Sequence, residues 1–114
     1  MEPYENLANA IIVQAADDYR IAAGFLRKHP RTKELEDAVA GIRAEKARKR
    51  EERKRLKLPR ARERKSREEI LMDKIVSNET LLFDVKKFFR SDWFSKLTSV
   101  DGETLLEKLE KEAE

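Results

Sequence analysis

Cysteine is absent from this 114-residue chain, which excludes disulfides and thiolate metal sites. Glycine and proline are scarce, three of each, so strand-and-turn architectures have little of the punctuation they need. One histidine, His29, stands beside a helix-ending proline. With no Ser, His and acid grouping and no glycine-rich phosphate loop, no catalysis and no cofactor are expected. The N-terminus has no positively charged leader, and the longest apolar run near it, residues 10–13, is far too short to cross a bilayer. The sequence therefore predicts a protein of the cytoplasm that has no membrane partner.

What the chain does have is charge. Asp, Glu, Lys and Arg make up 43 % of it, and the predominance of Ala, Leu, Glu, Lys and Arg predicts an all-α fold with long solvated faces. A chain of this length suits one domain, residues 1–114, with one modest core. The charge is unevenly spread. Residues 43–68 hold fourteen of the 26 Lys and Arg but five of the 23 Asp and Glu, a local +9 against −2 and −4 in the flanks. Between Ile42 and Ile70 the apolar residues are small alanines plus Leu56 and Leu58, so this stretch has no core of its own and should project into water as a basic arm.

Periodicity divides the chain into four or five helices, a small bundle carrying that arm. Pro3 suits the first turn of a helix whose apolar positions run from Tyr4 to Leu26, and His29-Pro30 ends it. Thr32 caps a second helix with Leu35, Val39 and Ile42 on one side, continuing without a core to Leu58, with Glu45 to Lys49 and Glu51 to Arg55 as supporting pairs. Pro59 breaks it. The pattern then predicts a third helix over 60–76, apolar only at Ile70, Leu71, Ile75 and Val76, so that the arm is an antiparallel pair of helices or one kinked rod. Ser77-Asn78 offers the next cap, before the hydrophobic centre at Leu81, Leu82, Val85, Phe88 and Phe89. Ser91 starts a short helix, and Asp101-Gly102 turns the chain into a last helix with Leu105, Leu106 and Leu109, Gly102 relaxing the backbone.

Clustered Lys and Arg on an exposed helix are the electrostatic footprint of nucleic-acid binding, because they replace the counterions condensed on phosphates. The residues that carry it are Arg48, Lys49, Arg50, Arg53, Lys54, Arg55, Arg60, Arg62, Arg64 and Lys65. The competing readings are a solvated spacer helix, which the interspersed Glu45, Glu51, Glu52 and Glu63 favour, and a nuclear-import address. A structural alternative is a homo-oligomer whose basic arm pairs with acidic helices of a partner subunit. Trp93 follows the helix-breaking Arg90-Ser91-Asp92 and is a candidate partner contact, whereas its aromatic neighbours are needed for the core. Asp101-Gly102 does not fit a calcium loop, since Leu97 and Lys108 would occupy the first and last acidic positions. The last helix, rich in Glu, is a poor recognition helix for phosphates; its acidic face is expected to pair with the basic arm of the same or a neighbouring molecule. Asp17, Asp84 and Asp92 are the carboxylates from which a metal site would be drawn, and none is expected.

The segments YENLANAIIVQAADDYR and FFRSDWFSKLTSVDGETLLEKL, with Asp18-Tyr19-Arg20, Arg90 to Trp93 and Asp101 to Glu103 as their marks, resemble a group of small proteins encoded by phages and integrated mobile elements of Firmicutes. The resemblance covers the two ends of the chain and excludes the basic insertion. It implies an accessory phage protein in a bacterial host cell. By analogy with small phage proteins that block host defence, it implies binding to a nucleoprotein complex and inhibition of an effector nuclease, as anti-CRISPR proteins do.

Overall fold

A computed structural model describes residues 3–113, which form five α-helices and, among the described residues, no strand. The helices are α1 (Pro3–Lys28), α2 (Lys33–Arg55), α3 (Arg67–Phe89), α4 (Asp92–Leu97) and α5 (Gly102–Ala113). They fall into two compact units: Met1–His29 with Val76–Glu114, and Pro30–Ile75. No described helix is long and apolar enough to cross a membrane.

The first unit is built around aromatic rings. Ala15 and Tyr19 of α1, Val85 and Phe89 of α3, Phe94 of α4, and Leu106 and Leu109 of α5 form its buried core, with Ile12, Leu81, Leu82, Phe88 and Leu105 packed at the edge. Phe94 stands edge-on to Phe88, with centroids 5.6 Å apart and planes at 86°, and tilts against Phe89 at 5.2 Å. Such offset and edge geometries suit the ring quadrupoles. Helix α1 contributes small residues: Ala8, Ala15 and Ala22, seven apart, are buried, while Tyr4 at its start is exposed. Polar links lash α1 to the C-terminal helices, from Arg20 to Glu112, from the Arg27 guanidinium to the Ala113 carbonyl and from the Tyr4 hydroxyl to the Lys96 carbonyl. Burial pushes the Tyr19 phenol above its ordinary pKa, with the nearby Glu110 charge acting in the same direction.

Two polar side chains set the corner between α3 and α5. The Ser91 hydroxyl accepts from the Phe94 amide at 3.2 Å and donates to the Phe88 carbonyl at 2.6 Å, ending α3 and starting α4. Asp101 does the same for α5 by accepting from the Thr104 amide and hydroxyl. Gly102 differs from its expected role, because it has no positive φ. Glycine is required there by crowding: a Cβ would stand 1.9 Å from the Phe89 carbonyl oxygen.

In the second unit the Thr32 hydroxyl caps α2 by accepting from the Leu35 amide at 3.1 Å. Val39 is the one residue that α2 buries among the described residues. Met72 and Ile75 of α3 are also buried, whereas Ile70, expected in the core, is exposed, as is Val76 at the start of the first unit's share of α3.

Two expected boundaries are corrected. Helix α3 runs through Ser77-Asn78 without a cap. Neither Gly nor Pro interrupts residues 67–89, and the mid-helix penalty of Ser and Asn, about 0.5 kcal/mol each, is too small to stop it. The larger correction concerns residues 60–66, expected as helix and found outside any helix. The arm is therefore not symmetrical about Pro59: its outward half is helical and its return half is not.

Candidate nucleic-acid interface

The hairpin of residues 43–68 begins with the end of α2. Leu56 is the C-cap, the Lys57 amide donates to the Lys54 carbonyl at 3.1 Å, and the Leu58 amide reaches back to the Arg53 carbonyl at 2.9 Å. This pair of bonds is a Schellman motif, whose closing residue needs a left-handed backbone. Lys57 supplies it at φ 55°, where glycine is usual. Helix α2 therefore ends three residues earlier than the expected Leu58, before Pro59 can act. The Arg53 guanidinium then clamps the turn by donating twice to the Pro59 carbonyl, at 2.9 and 2.6 Å.

The return segment is held against α2 and α3 by charge rather than by apolar contact. Arg50 binds Glu63 through two guanidinium nitrogens, a bidentate pairing that fixes orientation as well as distance. Lys46 donates to the Arg64 carbonyl at 2.7 Å and to Glu69 at 2.5 Å. Glu69 is 7 % exposed, so its charge needs partners. It also accepts from the Ser66 amide at 3.1 Å while the Ser66 hydroxyl accepts from the Glu69 amide at 3.2 Å. That reciprocal exchange is a capping box, and it explains why α3 starts at Arg67. Lys65 closes the segment on Asp73 at 2.5 Å, which Arg43 also approaches.

These partners hold the Glu69 carboxyl below the usual carboxylate range, Lys46 first and the Ser66 amide next. Arg50 does the same to Glu63, and Arg48 to Glu45, each arginine rising in turn. On α2 the expected pairs Glu45 to Lys49 and Glu51 to Arg55 do not close to within 4.0 Å, although the Lys49 charge still acts on Glu45. Arg48 takes both flanking acids instead, Glu45 at 2.6 Å and Glu52 at 3.7 Å. In the first unit Glu103 of α5 binds Arg90 and Glu112 binds Arg20.

Of the ten expected contact residues, Arg48, Arg50 and Lys65 thus have carboxylate partners within the molecule. Lys49, Arg53, Lys54, Arg55, Arg60, Arg62 and Arg64 have none within 4.0 Å, and Lys57 and Arg67 join them, among the described residues. Lys46, absent from the site residues expected from the sequence, joins both halves of the hairpin together with Arg50. The S-x-x-E pattern at Ser66 to Glu69 was a usable signal for its geometry. Trp93 lies in the other unit, 55 % exposed, its indole edge-on to Phe88 at 5.4 Å.

The chain matches no protein-family model, no curated protein and no solved structure.

Proposed function

We propose that the basic hairpin is a non-catalytic binding element for nucleic acid, free or within a nucleoprotein complex, and that it acts by occupying phosphates a host defence nuclease would otherwise use. The observation that carries this is the set of nine cations with no carboxylate within 4.0 Å, gathered on one hairpin among the described residues. Internal ion pairs do not consume the charge of this segment. They are spent on shape: Arg50, Lys46 and Lys65 fix the return segment and thereby hold Arg60, Arg62 and Arg64 beside α2. Contacts of this kind grip a backbone and do not read bases.

The salt dependence of binding tests the proposal. A contact of about six phosphates predicts a slope of log K against log salt near −5 on duplex and near −4 on single strands. Arg62→Glu with Arg64→Glu reverses two cations that have no carboxylate within 4.0 Å, so retention on nucleic acid should be lost with the helical circular-dichroism signal intact. Retention that ignores salt between 50 and 300 mM, or survives this charge reversal, rejects it.

A further inference from the structure

Between the end of α2 and the return segment lies an open cleft of about 810 Å³. Its apolar lining comes from Leu56, Leu58 and Ala61, and Lys49, Arg53 and Arg60 stand around it. Both leucines are largely exposed, 57 % and 49 %, in a stretch otherwise dominated by charged residues. The two carboxylates of the lining, Glu52 and Glu63, are already bound by Arg48 and Arg50, so neither faces an incoming anion alone.

We infer that this cleft receives an unstacked base of single-stranded nucleic acid, DNA and RNA alike, with the flanking phosphates on the surrounding cations. Its size falls within the range of small-molecule sites, roughly 300–1,000 Å³. An apolar surface among cations that have no carboxylate within 4.0 Å is complementary to a nucleotide, which presents a flat apolar face beside a negative charge. The Arg53 guanidinium is held in place by its two bonds to the Pro59 carbonyl and offers a fixed planar surface of the kind on which bases stack. Width argues the same way. A helix is about 10–12 Å across with its side chains, and the major groove of B-DNA, about 12 Å wide, admits one helix but not a helix with a return segment beside it. A paired base also keeps both faces inside the stack, where the cleft cannot reach them. Nothing in the lining selects a 2′-hydroxyl, so deoxyribose and ribose strands are bound equally.

This inference rests on the phosphate-binding proposal, and fluorescence anisotropy with the full chain separates the two. The probes are labelled twelve-nucleotide oligo(dT), oligo(U), a twelve-base-pair duplex and a twelve-unit abasic strand with the same phosphates. Oligo(dT) and oligo(U) should bind within about twofold of each other and about tenfold more tightly than the duplex or the abasic strand, as stacking of one base predicts. The variant Leu56→Ser with Leu58→Ser changes exposed positions; it should reduce oligo(dT) binding to the level of the abasic strand and leave duplex binding and helicity unchanged. Equal affinity for oligo(dT) and the abasic strand, a preference for duplex, or full oligo(dT) binding by the double variant overturns the base-binding cleft and leaves phosphate binding standing. Salt-insensitive binding, or none to any probe, overturns both.

Discussion

Around Phe94 the chain excludes water with rings and leucines; around Lys46 it is held by charged side chains paired with one another. In the first unit a polar group such as Ser91 or Asp101 starts a helix, and the interior is then filled by apolar side chains. In the second unit the helices bury little, and Arg50, Lys46, Glu63 and Glu69 define the path of the backbone. An apolar core is insensitive to salt and nearly so to pH, whereas a scaffold of ion pairs responds to both. A cationic segment gains from this arrangement. Folding a run of like charges by hydrophobic burial would have needed leucines where arginines stand, while cross-links made from a few glutamates leave most cations outward.

The contrast is broken most severely from the side of the core. Phe94→Ala removes a ring that is 2 % exposed, and should cost about 4 kcal/mol in urea unfolding. Gly102→Ala must move the Phe89 carbonyl or α5, a loss of about 2–3 kcal/mol by the same measurement. On the hairpin, Glu69→Gln removes the charge that Lys46 binds and weakens the tie of the return segment. Trypsin should then cleave at Arg60, Arg62 and Arg64 about tenfold faster at neutral pH, because proteolysis follows local opening. An unchanged cleavage rate would mean that the return segment is held by something other than these ion pairs.

Acid should separate the two regions with no substitution. Glu63 and Glu69 have folded pKa values below their ordinary ones. The unfolded chain therefore takes up more protons as pH falls, and the stabilisation present at neutral pH fades once the solution drops below about pH 4. Amide exchange, corrected for intrinsic rates, should show the Ser66 amide losing protection before the Phe94 amide. Simultaneous loss would erase the distinction. The smallest effect is expected at the turn: Lys57→Gly relieves a left-handed lysine and should gain about 0.5 kcal/mol.

Much of the fold was legible where a local chemical signal stood at a helix end. Thr32, Ser91 and Asp101 could be read as caps because their oxygens need only an amide two or three residues ahead, a requirement that is itself local. Two of the misread boundaries have different causes. Ser77-Asn78 looks like a cap but lies inside α3, since a cap forms only where the chain has another reason to stop, and the apolar residues on both sides gave none. Residues 60–66 looked helical by composition, yet seven residues without an apolar anchor gain little from helix formation, and the capping box at Ser66 and Glu69 places the start of α3 after them. The Schellman turn was hidden because lysine stands where glycine would have announced it. Of the candidate interface, the identity of the cations was open to sequence reading. Which of them find a carboxylate was not, because Glu63 meets Arg50 across thirteen residues, through a fold-back that the pattern of residues left open beside a kinked rod.

The i, i+3 and i, i+4 spacing that gathers Glu45, Arg48 and Glu52 into one cluster also leaves Lys46, Arg50 and Arg53 on a different side of α2. The cluster closes its charges within α2, while Lys46 and Arg50 spend theirs on Glu69 and Glu63 across the hairpin. The register of charges along α2 therefore decides which side of the helix the return segment covers, as well as where along the helix it is held.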